Sequence, residues 1–146
     1  MPEIIYNIAI AGCGKVGHLH AKAIQSISNA HLAAVWSRTP KSAEEFALKY
    51  NTKPYGSINQ MVKECKIDLV IVCTPHMFHK SPAVEAADAG SNVLVEKPLA
   101  SDLEDCDEII AACKKSKVKL GVISQRRWYP PVKRVKDAMF ILQTLI

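Results

Sequence analysis

The run Ile8-Ala9-Ile10-Ala11-Gly12-Cys13-Gly14-Lys15-Val16-Gly17 decides how the rest of the chain is read. An apolar stretch leads without interruption into Gly-x-Gly-x-x-Gly, and a helical pattern follows. In a loop of this kind each glycine has its own task. Gly12 makes the tight turn out of a strand, Gly14 lets the backbone approach a pyrophosphate, and Gly17 lets the following helix lie close to the strand. The helix N-terminus offers unpaired N–H groups and a partial positive charge to an anion. Gly12, Cys13, Gly14, Lys15, Val16 and Gly17 are therefore candidate dinucleotide-binding residues. The same string also serves other nucleotides, methyl donors and plain strand-to-helix turns, so its surroundings have to decide its meaning.

Outward from the loop, strand and helix patterns alternate. Ile4 to Ala11 reads as a buried parallel strand. Lys15 to about Ile27 reads as a helix with Val16, Leu19, Ala23 and Ile27 on its apolar face. A second strand covers His31 to Trp36. Thr39-Pro40-Lys41-Ser42 opens a helix that runs to about Tyr50, with Ser42 and Glu45 spaced as a capping box. A short strand at Lys53 to Tyr55 and a helix from Ile58 to Glu64 follow. Asp68 to Cys73 is the fourth strand and ends at Thr74-Pro75. A helix from about Ser81 to Ala89 stops at Gly90. Asn92 to Val95 is the fifth strand and ends at Glu96-Lys97-Pro98. A helix from Ser101-Asp102 to about Ser116 carries acids early and lysines late, as the helix dipole prefers. Leu120 to Ser124 is the sixth strand, and a last helical pattern begins near Val132. This alternation predicts an α/β fold, a doubly wound parallel sheet of Rossmann type that binds ligands at the C-terminal ends of its strands.

Composition removes several classes of function. The 146 residues are 49% hydrophobic and 23% charged, the signature of one globular domain rather than a disordered chain. No apolar run reaches about 18 residues, so no transmembrane helix is expected, and no secretory leader is read at Met1-Pro2-Glu3. The net charge of +5 is scattered and aromatics are 6%, which speaks for a solvated basic surface and against nucleic acid. Cys13, Cys65, Cys73, Cys106 and Cys113 include no Cys-x-x-Cys pair, which points to a cytoplasmic protein, with Cys73 in the core. His76 and His79 are spaced like a metal pair, but no acid or cysteine completes the set and no metal site is read.

The cofactor is read at the end of the second strand. A dinucleotide site of the NAD type has an acid about 20 residues beyond the loop, on the ribose 2′-hydroxyl. That count lands on Ser37, followed by Arg38 and Thr39, and no carboxylate is there to repel a 2′-phosphate. Arg38 could pair with such a phosphate while Ser37 and Thr39 hydrogen-bond it, which favours NADP over NAD. Alternatively, Arg38 stacks on the adenine or faces solvent. A methyl-donor site is disfavoured by the missing acid and by Glu96-Lys97-Pro98.

Several motifs in order resemble one family. They are Gly12 to Gly17 with His20, Ala21 and Ala23; Asp68 to Pro75 with His79; Ala89-Gly90 with Val93 to Ala100; and Arg127-Trp128-Tyr129-Pro130. Over roughly residues 4 to 135 the chain resembles the glucose–fructose oxidoreductase, inositol dehydrogenase and rhizopine-catabolism family (Gfo/Idh/MocA). The resemblance implies an oxidoreductase that uses NAD or NADP on sugars, cyclitols or related polyols, with homo-oligomers among its members. It makes Lys97 the catalytic lysine, on a cis Lys97–Pro98 bond. It places Thr74, Pro75 and His79 on the nicotinamide side and Glu96 near the ribose, and it adds Cys73 and Arg127 to the cofactor residues. Each has a plainer alternative: His79 packing against its helix, Glu96 as a surface acid, Lys97 as a solvated lysine at a turn.

The family also has a second α/β domain, and its members are roughly twice as long. Residues 1–125 are thus expected to form the cofactor domain, and 126–146 either the start of an inter-domain segment or a docked C-terminal helix. The apolar tail Phe140 to Ile146 reads as helix end or as a truncated product. A nucleotide-binding module without turnover is the alternative function.

Overall fold

In a computed structural model, residues 4–143 are described, with side chains through Met139. The apolar tail from Phe140 lies outside that description, apart from the backbone up to Gln143, as do Met1 to Glu3. The elements are β1 (Tyr6–Ala11), α1 (Lys15–Gln25), β2 (Ala30–Trp36), α2 (Pro40–Tyr50), β3 (Lys53–Tyr55), α3 (Ile58–Cys65), β4 (Leu69–Val72), α4 (Lys80–Asp88), β5 (Asn92–Val95), α5 (Leu103–Lys115), β6 (Leu120–Val122) and α6 (Pro130–Gln143). Short 3-10 turns follow β4 at His76–Phe78 and β6 at Gln125–Trp128.

The six strands lie parallel in the order β3-β2-β1-β4-β5-β6. Ile8 to Ala11 are buried because β1 is central, with helices against both faces. Ala9, Ala11, Val70, Val72, Val93 and Val95 face the α3, α4 and α5 side, while Ile8, Ile10, Ile71 and Cys73 face α1 and α2. The strand order reverses between β1 and β4, so their C-terminal ends open a crevice at the switch point.

Two local expectations are corrected. The inward face of α1 is Gly17, Ala21 and Ile24; Val16, Leu19, Ala23 and Ile27 are exposed. The cause is proximity: a Cβ at Gly17 would fall on the carbonyl oxygen of Gly12, so only small side chains fit where α1 crosses β1. At α2, Thr39 is the N-cap and Pro40 the first residue, so Ser42 and Glu45 lie inside the helix and form no capping box. Proline with its fixed φ suits the first helical position and sets the start. By contrast, Asp102 caps α5 as its composition suggests, accepting from the N–H of Asp105 at 2.8 Å.

α6 packs against the 3-10 turn before it, and its residues 130–139 are exposed.

Candidate functional site

The ends of β1, β2 and β4 enclose a cavity of about 450 Å³ lined by Gly12 to Val16, Ser37 to Thr39, Ser42 and Cys73 to Pro75. Among the described residues the lining includes Lys15 and Arg38 and no carboxylate. The three glycines owe their presence to different neighbours. Gly12 has φ +124°, and a Cβ there would lie 2.7–2.8 Å from the backbone of Cys73 and Thr74. It is glycine because β1 and β4 approach each other at that point. Gly17 is glycine because α1 touches the loop. Gly14 has neither reason: its φ of −79° suits any residue, and a Cβ would meet no protein atom within 4 Å. The fold leaves open the space that a ligand's pyrophosphate needs, and Gly14 is the N-cap of an α1 end that no side chain caps. The chain's residues therefore fit a dinucleotide.

Two thiols border the cavity. Burial pushes the Cys13 thiol up to about 11, against a smaller opposing effect of a hydrogen bond with Ser37. Cys73 donates to the Gly12 carbonyl at 3.2 Å. Burial, then the neighbouring Cys13 and Glu96, push its thiol up to about 12. Both are neutral at ordinary pH and are packing groups rather than nucleophiles.

The end of β2 is polar. The Ser37 hydroxyl accepts the N–H of Thr39 at 3.3 Å. The Arg38 guanidinium carbon lies 3.7 Å from the centroid of the Phe78 ring. Ser42, on the first turn of α2, joins this group instead of forming a capping box.

The end of β4 is braced to the end of β5. The Thr74 hydroxyl donates to the carbonyl of Phe78 at 2.8 Å. His79 is 1% exposed, so its ring stands behind the wall of the cavity rather than on its surface. Its Nε2 faces the Thr74 carbonyl at 2.8 Å, and its Nδ1 faces the carbonyls of Pro98 at 3.0 Å and Leu99 at 3.3 Å. A neutral ring donates to one side only. In either tautomer the ring fills the space between the Thr74 turn and the Lys97–Pro98 turn and donates to one of them.

Lys97 is exposed beside that turn, and the Lys97–Pro98 bond is cis. The Glu96 carboxylate accepts the Lys97 N–H at 3.2 Å through one oxygen and meets His20 Nε2 at 3.0 Å through the other. Both partners are largely buried, at 19% and 16% side-chain exposure. His20 sits on α1 three residues past Gly17, a position the sequence offered without showing what it would reach. Arg127 stands apart from the glycine loop, in a hollow with Val122, Ser124, Trp128, Val132 and Lys136. His76 is exposed while His79 is buried, so the two do not face one ion. Among the described residues no helix is long and apolar enough to cross a membrane.

A glycine loop at the switch point of a six-stranded parallel sheet, with an open helix end beneath a cation-lined cavity, defines a dinucleotide-binding domain of the Rossmann type. Residues 6–124 match the GFO_IDH_MocA family, described as an oxidoreductase family with an NAD-binding Rossmann fold, and the chain belongs to that family. An uncharacterized oxidoreductase of Streptococcus pneumoniae is 35% identical over 109 residues, covering 75% of this chain and 29% of the relative. The scyllo-inositol 2-dehydrogenase (NADP(+)) of Bacillus subtilis is 30% identical over 140 residues, covering 95% of this chain and 43% of that protein. The WlbA dehydrogenase from Bordetella pertussis, solved in complex with NADH and UDP-GlcNAcA, superimposes with a TM-score of 0.86 at 29% identity, over 92% of this chain and 42% of that one. The chain spans 29% and 43% of the lengths of these two curated relatives.

Proposed function

We propose that this chain holds NADP(H) in the cavity at the ends of β1, β2 and β4, and that it is the cofactor-holding part of an oxidoreductase acting on a sugar, cyclitol or related polyol. The observation that carries the cofactor reading is Gly14, a glycine that the fold does not require, facing open space at an open helix end. The lean to NADP rests on Arg38 with the hydroxyls of Ser37, Thr39 and Ser42, in a lining without a carboxylate. A guanidinium and hydroxyls suit a phosphate dianion, and a carboxylate would repel it. Both cofactor types occur among the relatives: the Bacillus subtilis protein is named for NADP(+), and the WlbA structure holds NADH.

In this reading the backbone of Gly12 to Gly17 and the N-terminus of α1 bind the pyrophosphate, and Lys15 adds positive charge. Thr74 and Pro75 border the crevice on the β4 side. The nicotinamide would supply the hydride acceptor or donor. Lys97 would hold the reacting oxygen of the substrate, its ammonium donating a hydrogen bond to that oxygen as charge builds there. The Glu96 carboxylate, beside His20, accepts the Lys97 N–H, and His79 lies against the carbonyls of the next two residues, Pro98 and Leu99. The polyol substrate class rests on the inositol dehydrogenase among the relatives.

Titration with NADPH and NADH, followed by quenching of Trp36 and Trp128 fluorescence, tests the cofactor. NADPH should bind more tightly, and tighter NADH would overturn the preference. Lys97→Ala should abolish turnover on a panel of polyols while the cofactor dissociation constant stays within about two-fold. Near-normal turnover in that variant would refute the role of the lysine. Cofactor binding by the unaltered chain without any turnover would select the binding-module reading.

A further inference from the structure

We propose that Phe78 is a specificity-determining residue for the cofactor's 2′-phosphate, because its ring backs the guanidinium of Arg38. This rests on the NADP reading above. Arg38 is exposed at the end of β2, where a long side chain ordinarily samples many rotamers and loses entropy on binding a phosphate. Here its guanidinium carbon sits 3.7 Å from the Phe78 ring centroid, close enough for a cation–π contact. Arg38 lines the cavity and Phe78 does not, so one face of the planar group is covered by the ring while its N–H edge stays free for a phosphate.

The backbone that carries the ring is itself held. The Phe78 carbonyl accepts from the Thr74 hydroxyl at 2.8 Å, and its N–H donates to the Pro75 carbonyl at 2.7 Å. The next residue, His79, is anchored in the interior by carbonyls from two strand ends. A platform fixed by the β4 turn thus pre-orients a cation supplied by β2. A free arginine would pay the ordering cost only when the phosphate binds, which weakens NADPH and leaves NADH unaffected.

Dissociation constants for NADPH and NADH on the unaltered chain, Arg38→Ala, Phe78→Leu, Phe78→Trp and the Arg38→Ala/Phe78→Leu double variant test this, with thermal melts as a folding control. Phe78→Leu should weaken NADPH by about two- to five-fold, the factor for a cation–π contact at an exposed site, and leave NADH unchanged. Phe78→Trp should keep the preference, and Phe78→Leu should add nothing once Arg38 is gone. If Phe78→Leu weakens both cofactors equally, leaves their ratio unchanged, or has the same effect without Arg38, the role of Phe78 is overturned and the NADP reading stands. If Arg38→Ala leaves the ratio unchanged, the NADP reading beneath it is overturned.

Discussion

Alanine at Gly12 and alanine at Gly14 should fail in opposite ways. At Gly12 the backbone has φ +124°, and a Cβ would lie 2.7–2.8 Å from the Cys73 and Thr74 backbone. Holding alanine in that conformation and forcing two strands apart should together cost roughly 2–6 kcal/mol. Against a domain stability of about 5–15 kcal/mol, that is a large fraction of the whole. The urea midpoint of Gly12→Ala should fall by about 1 M or more. At Gly14 the φ is −79° and no protein atom lies within 4 Å of the new methyl, so the fold should lose only about 0.5–1 kcal/mol, the difference between glycine and alanine at an N-cap. In the proposed placement of the cofactor, the same methyl stands where its pyrophosphate would come. Loss of one hydrogen bond to a charged oxygen, about 1.5–3 kcal/mol, corresponds to roughly a 10- to 100-fold weaker NADPH complex. Circular dichroism across a urea series gives the first quantity, and fluorescence titration of the folded variants gives the second. A Gly14→Ala chain that binds NADPH as the unaltered chain does would refute the placement of the cofactor, and a Gly12→Ala chain with an unchanged midpoint would refute the packing argument.

Three further outcomes follow from other parts of the molecule. Burial raises the Cys13 thiol from 9.0 to about 11, so the folded state keeps a proton that the unfolded chain releases; stability present below pH 9 should decline as pH rises toward 11. Cys13→Ser should decline less steeply over that window, and parallel urea midpoints for the two chains at pH 8, 9 and 10 would count against it. His79→Ala removes a buried ring between carbonyls of two strand ends and should cost about 2–4 kcal/mol by urea unfolding; a cost below about 1 kcal/mol would mean that the ring is not the brace between them. The corrected face of α1 predicts that Leu19→Lys changes stability by less than about 0.5 kcal/mol while Ile24→Ala costs about 2–5 kcal/mol; the reverse order would restore the larger residues to the inward face.

The strands were legible because a central parallel strand is buried on both faces and has to be written as an unbroken apolar run. Ile8 to Ala11 and Leu69 to Val72 therefore stand out without any knowledge of their partners. The helix caps were legible where a side chain does the capping, as Asp102 does, and misread where proline sets the start instead, as at Thr39-Pro40. The face of α1 was misread for a reason that periodicity cannot contain. Counting apolar residues weights large ones, and the helix meets β1 through Gly17 and Ala21 because nothing larger fits. The glycine that marked the loop also fixed the face of the helix after it.

The site divides along the same line. What one segment carries could be read: the glycine loop, Ser37-Arg38-Thr39, Thr74-Pro75 and Glu96-Lys97 each announce chemistry over a few residues. What two segments make together could not. His20 meets Glu96 across 76 positions, and Arg38 meets Phe78 across 40, and no local pattern in either stretch encodes the pairing. His79 shows why this matters for function. Read alone, a histidine seven residues past the end of a strand is a group to place against a ligand. In the fold it is 1% exposed, its ring set between the Thr74 carbonyl on one side and those of Pro98 and Leu99 on the other. Its contribution is to set the distance between the strand end that borders the cofactor crevice and the turn that presents Lys97. Burial points to the second kind of role: a side chain sealed behind the wall acts through the residues that line the crevice.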